Sequence, residues 1–222
     1  LGLKPEEKDA YFLRGSAELE LGDYESAKAD FDQAISMDPK NYDRLIEIYE
    51  ALAAHGYREV GQEYLQNVLD TAKQLDAYDS GRIYYYLGEY QKAYLALDEA
   101  RDKGGADSYL YLGRAYAATG DYNYASSVYN NYLSKQGPNA EIYNELGLCE
   151  MAKKEYQNAL AAFQAGKQIE GNSLMQTLCF NEIVAYEYLE DYQQAEILMN
   201  AYLQNYPDDQ TAIREQQFLS TR

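Results

Sequence analysis

The stretch AYFLRGSAELELGDYESAKADFDQAISMDP, residues Ala10 to Pro39, decides the fold. At its middle stands Gly22-Asp23-Tyr24, followed three residues later by the small Ala27, and this signal returns five times along the chain. Gly88-Glu89-Tyr90 with Ala93 and Gly120-Asp121-Tyr122 with Ala125 are close copies. Lys154-Glu155-Tyr156 with Ala159 and Glu190-Asp191-Tyr192 with Ala195 are weaker, and Gly56-Tyr57-Arg58 with Gly61 is degenerate. The small residues therefore fall at 27, 61, 93, 125, 159 and 195, in steps of 34, 32, 32, 34 and 36. So even a period across six copies marks a repeat architecture, built of supersecondary units that bury a face against their neighbours.

Other columns keep the same register. Twelve residues before the small column lie Gly15, Tyr49, Gly81, Gly113, Gly147 and Ile183; four after it lie Phe31, Leu65, Leu97, Tyr129, Phe163 and Met199. Each unit reads as two helices. In the fourth, Tyr109, Leu112 and Tyr116 recur at helical spacing before Gly120, and Ala125, Val128, Tyr129 and Tyr132 do so after it. Glycine takes the left-handed conformation that ends a helix, and aspartate caps the start of the next. The small columns let two antiparallel helices approach closely, and the aromatic columns fill the space between pairs.

These residues resemble the tetratricopeptide repeat family, whose unit is a 34-residue helix-turn-helix. The resemblance implies an all-α, right-handed superhelical solenoid of six units, at 8–41, 42–73, 74–105, 106–139, 140–173 and 176–209. Residues 210–222 are expected to form a capping helix. Leu1, Leu3 and Pro5 echo Ile35, Met37 and Pro39, so residues 1–7 read as the tail of a preceding repeat. The second unit departs from the pattern at Tyr49, Arg58 and Gly61 and is expected to be the softest joint; the sixth departs at Ile183 and Glu190.

Composition narrows the function. The chain has 19 basic and 37 acidic residues, a formal charge of −18, and 26 tyrosines with no tryptophan. Residues 1–111 carry −11 and residues 112–222 carry −7, so the charge is a solvated skin rather than a tail. Such a surface repels phosphates, which excludes nucleic acid as the expected partner. No apolar run is long enough to span a bilayer. His55 is the only histidine and falls at a turn, and Cys149 and Cys179 sit in first helices as expected buried thiols, with a disulfide between them the alternative. No Ser-His or Cys-His pair, phosphate-binding glycine loop or metal-loop spacing is present. Catalytic residues, cofactor and metal are accordingly read as none.

Binding is expected instead along the first helices, which the resemblance makes the concave wall. The residues facing it are those three before, one after, and four or five after the early glycine column. They carry more apolar and aromatic surface than a solvated face requires, and two arginines in one column of adjacent units. Tyr78, Arg82, Tyr85, Arg114, Asn144, Met151, Phe180 and Tyr188 form the candidate site for a peptide or protein partner. There arginine would take a carboxylate or carbonyl, asparagine the backbone, and the apolar groups a side chain. The two guanidiniums are expected to reach one extended ligand; the competing reading is that they neutralise Asp79 and Asp107. The chaperone-tail clamp known from some members of the family is absent, since Phe12, Ser16, Ile46 and Glu50 hold its columns. The reading is a non-catalytic interaction scaffold. A self-associating module, or an accessory domain of a larger protein, is the alternative. The two recurring tyrosine packing columns do not account for Tyr85, Tyr86, Tyr94, Tyr111, Tyr124 and Tyr188, which are candidates for exposed stacking surface or for contacts to a second copy of the chain.

Overall fold

The computed structural model describes residues 8–221. Among them are thirteen α-helices and no strand. The helices are α1 (Lys8–Glu20), α2 (Tyr24–Met37), α3 (Tyr42–Ala54), α4 (Arg58–Thr71), α5 (Ala77–Tyr86), α6 (Tyr90–Asp102) and α7 (Ser108–Ala118). They continue with α8 (Tyr122–Gln136), α9 (Ala140–Ala152), α10 (Tyr156–Lys167), α11 (Met175–Tyr188), α12 (Tyr192–Asn205) and α13 (Gln210–Leu219). Consecutive helices pack in pairs. The chain forms two compact units, residues 1–96 and 97–222, with the boundary inside α6. Residues 1–7, read above as a repeat remnant, lie outside the described residues.

The repeated turn has one backbone solution. Gly22, Gly56, Gly88 and Gly120 all adopt positive φ, between 78° and 87°. The same column holds Lys154 at 64° and Glu190 at 62°, left-handed backbone without glycine. The next residue caps the following helix: the Asp23, Asp121 and Asp191 carboxylates accept the backbone N–H of Ser26, Tyr124 and Gln194. First helices are capped likewise, by Asn41, Asp76, Asn139 and Asp209.

In three pairs the glycine column sits under an aromatic ring. A Cβ on Gly15 would stand 2.8 Å from Phe31 Cε1, and at Gly113 and Gly147 it would enter the rings of Tyr129 and Phe163. The second pair inverts this arrangement. Tyr49 of α3 supplies the ring, and Gly61 of α4 yields to it, with a virtual Cβ 2.9 Å from Tyr49 Cδ2. The sixth pair fills the same gap with two aliphatic chains, Ile183 and Met199, both buried.

In unit 1 the core runs from Leu19, Phe31, Ile48 and Leu52 to Leu45, Ile46, Tyr49, Leu65 and Ile83. In unit 2 it runs from Tyr129, Ile142 and Leu146 through Phe163 and Leu178 to Ile183, Met199 and Leu219. The last helix, α13, closes unit 2: Ala212 and Leu219 are buried against α12, and Tyr202 donates a 2.6 Å hydrogen bond to Asp209.

Candidate functional site

Each sequence-predicted site residue is held by the repeat geometry within its own unit. In unit 1, Tyr78, Arg82 and Tyr85 occupy one face of α5. Arg82 is only 7% exposed. Its guanidinium donates to Asp43 of α3 at 2.6 Å and to Asp79 at 2.8 Å, and lies 4.5 Å over the Tyr78 ring. Burying a guanidinium is tolerated because two carboxylates and an aromatic face replace its water. Arg82 thus ties α5 to α3, with Asp79 among its partners.

In unit 2, Arg114 of α7 is half-buried and reaches α9. It donates to Glu141 at 2.9 Å and to Glu145 at 2.7 Å, with the Tyr111 ring 5.6 Å away. The neutralising carboxylates therefore come from the next repeat and not from Asp107. Asn144 is 8% exposed and accepts a 2.9 Å hydrogen bond from Asn181 Nδ2, which ties α9 to α11. Arg82, Arg114 and Asn144 share a role: polar side chains on first helices cross-link neighbouring repeats.

The remaining residues present surface. Met151 is half-buried against the α9–α11 core, and Phe180 packs edge-on against Tyr202 with ring centres 5.8 Å apart. Tyr188 is 57% exposed and stacks on Tyr156 at 5.0 Å. On the same stripe, Leu148 of α9 is 43% exposed. Leu148 belongs to the stripe's register but not to the predicted site set; the signal that marks it is a large aliphatic residue in the column that holds Arg114 one repeat earlier.

Of the tyrosines outside the two recurring columns, Tyr124 packs across the α7–α8 pair and Tyr111 against a neighbour on its own helix. Tyr124 sits 4.2 Å from Tyr116, and Tyr111 lies under Arg114. Tyr24 stacks on Tyr57 of the next repeat at 4.1 Å. Of the two cysteines, both free, Cys149 is buried; burial, followed by Glu145 and Glu150, pushes its thiol up to about 12, so it is held as the unreactive thiol. His55 accompanies the α3–α4 turn, its ring nitrogen 2.9 Å from the Ala51 carbonyl. Among the described residues, no helix is long and apolar enough to cross a membrane.

This geometry of paired helices, left-handed turns and cross-linked first helices agrees with sequence models of the tetratricopeptide repeat. One matches residues 8–41, and another matches 78–125 and 112–172. Together they cover more than half of the chain. The chain belongs to the tetratricopeptide repeat family. No curated protein sequence gives a significant match. Solved structures share the fold at low identity. PilW, described as a widely conserved type IV pilus biogenesis factor, is 18% identical with a TM-score of 0.65, over 96% of this chain and 97% of that one. A thermophilic tetratricopeptide protein of Thermus thermophilus is 15% identical, TM-score 0.59, over 97% and 100%. YrrB, described as having an unusual peptide-binding site, is 18% identical, TM-score 0.55, over 84% and 97%. The tetratricopeptide fold is a general scaffold for protein–protein interaction.

Proposed function

We propose that the protein is a non-catalytic scaffold that holds a peptide segment of a protein partner along the first helices of its repeats. The observation that carries this reading is the stripe on α9 and α11. There Leu148 and Tyr188 stand exposed in columns where a purely solvated helix face would be polar, with Met151 and Phe180 beside them. Arg114, half-buried and held in place by Glu141 and Glu145, offers a preorganised guanidinium edge to the same strip. In unit 1, Tyr78 and Tyr85 are the surface members and Arg82 is a positioning group that keeps α5 in register with α3; in unit 2, Asn144 does the same for α9 and α11. That a tetratricopeptide structure, YrrB, is described as having an unusual peptide-binding site supports the same use of the fold here.

The test selects peptides from a random displayed library and maps the tightest by amide hydrogen exchange. Protection is expected on α7, α9 and α11. The double variant Leu148→Glu, Tyr188→Glu should keep its helical circular dichroism and weaken the selected peptide by about 10- to 100-fold, as for two aromatic or aliphatic anchors. Protection confined to α8, α10 and α12, or unchanged affinity in the folded double variant, rules the reading out.

A further inference from the structure

Within unit 1, a cavity of about 390 Å³ opens between α3, α4, α5 and the start of α6. Its walls include four tyrosines, Tyr49, Tyr85, Tyr86 and Tyr90, together with Glu50 and Arg58. The rings do not form a parallel stack. Tyr49 and Tyr86 lie 5.2 Å apart at 58°, Tyr85 and Tyr86 5.2 Å apart at 72°, and Tyr85 and Tyr90 6.0 Å apart at 54°. The mutually inclined rings form a corner of the wall rather than a stack. Each face carries the negative lobe of the ring quadrupole. The Tyr86 hydroxyl donates a 2.6 Å hydrogen bond to Glu50 Oε1 and fixes a carboxylate on the same wall.

Inclined aromatic faces next to a fixed carboxylate are the chemistry that recognises an organic cation. The surrounding charge has the matching sign: residues 1–96 hold 10 basic and 19 acidic side chains, a net −9, which concentrates cations at the surface. Arg58 is the one basic group on the wall, and it is exposed at the first residue of α4. An anion would meet that single exposed guanidinium but also the half-buried rings of Tyr85, Tyr86 and Tyr90 and the Glu50 carboxylate. Glu50, Tyr85 and Tyr86 also belong to the first-helix stripe.

We propose that this cavity receives a basic side chain, lysine or arginine, of a peptide lying along the first helices of unit 1. The proposal rests on the groove reading above and names the chemistry of the partner: a peptide with a cationic anchor set among apolar ones. The ring faces give the anchor its pocket, and Glu50 supplies the counter-charge at the rim.

The experiment titrates the intact chain with Nα-acetyl-lysine methylamide and follows the tyrosine ring signals by NMR. Nα-acetyl-norleucine methylamide is the neutral arm and Nα-acetyl-glutamate methylamide the anionic arm. The lysine probe is expected to move the signals of Tyr85, Tyr86 and Tyr90 saturably, and the other two to leave them in place. Tyr85→Leu should weaken the lysine probe by about 3- to 30-fold, the range of one cation–π contact, whereas Tyr85→Phe keeps the ring face and the binding. Glu50→Gln should weaken it with little change in fold, and serves if Tyr85→Leu loses helicity. Equal response to norleucine, preference for glutamate, or no response to any probe overturns the proposal. The displayed-library experiment separates the two claims. Peptides that protect the first helices but carry no enriched lysine or arginine leave the scaffold standing and remove the cation site; absence of any groove protection removes the scaffold itself.

Discussion

The second and fifth repeats depart from the common pattern at opposite places. The α3–α4 pair keeps the turn glycine, Gly56 at φ 87°, and exchanges its core, with Tyr49 on the first helix leaning over Gly61 on the second. The α9–α10 pair keeps the core, with Gly147 under Phe163, and replaces the turn glycine by Lys154 at φ 64°. Both pairs nevertheless form. The spacing of a helix pair is thus set by the sum of the facing side chains, whichever helix supplies the bulk, because interiors are filled to a fixed density. The turn, by contrast, is set by backbone geometry, and a residue that fits it poorly is carried by the packing on either side.

The largest effects should come from breaking the core exchange. Tyr49→Gly removes a buried ring that Leu65 is too small to replace, and should cost about 3–5 kcal/mol in denaturant unfolding. Adding Gly61→Ala and Leu65→Phe rebuilds the arrangement of the fifth repeat and should restore most of that loss. No recovery would mean that the two packings are not interchangeable. The converse experiment acts on the fifth repeat. Gly147→Ala drives a methyl into the Phe163 ring and should cost about 1–3 kcal/mol, and Phe163→Leu in the same chain should relieve it. The packing argues against the expectation that the second repeat is the softest joint. Leu45, Ile46, Ile48, Tyr49 and Leu52 of α3 are all buried, so amide exchange in α3 is expected to be as slow as in α7. Faster exchange in α3 would show that the exchanged core is the weaker one.

The repeat period, the turns, the helix pairs and the family were legible in the sequence, because each rests on columns that recur at one spacing. Tyr49 and Gly61 were legible only as departures. Seeing that one compensates the other requires knowing that they face each other across a pair. The site was legible in part. Helical register places Tyr85, Met151, Phe180 and Tyr188 on first helices, but register does not show what else reaches a side chain. Arg82 is met by Asp43, 39 residues earlier, and Arg114 by Glu141 and Glu145 of the next repeat. Those partners lie in other repeats, beyond the reach of local spacing. The tyrosine corner escaped for the same reason, since it draws on both the second and the third repeat of unit 1.

The sixth repeat changes both core and turn, and its inner side adds a titratable contact. Glu187 of α11 faces Glu215 of α13; burial, then that neighbour, pushes the Glu187 carboxyl up from 4.5 to about 7. Between those values the folded state holds a proton that the unfolded chain has released, so stability falls as pH rises through this window and is greatest below it. The docking of α13 should therefore be firmer at pH 5.5 than at pH 8, read as amide protection in α13. Glu187→Gln, neutral throughout, should flatten that dependence and stabilise the helix at pH 8. An unchanged pH profile in the variant would place the effect elsewhere.

The smallest effect isolates the turn. Lys154 and Glu190 hold a backbone conformation that costs a side chain about 1–2 kcal/mol and glycine almost nothing. Lys154→Gly should therefore stabilise the fifth repeat, by about 0.5–1 kcal/mol after the extra entropy of glycine in the unfolded chain is subtracted. Gly56→Ala, at the same column of the second repeat, should lose a similar amount. Lys154→Asn should fall between, since asparagine tolerates left-handed backbone better than lysine. If Lys154→Gly instead destabilises, the lysine side chain contributes more to the turn than its conformation costs, and the turn, like the core, is compensated by its neighbours. The two departures would then follow one rule.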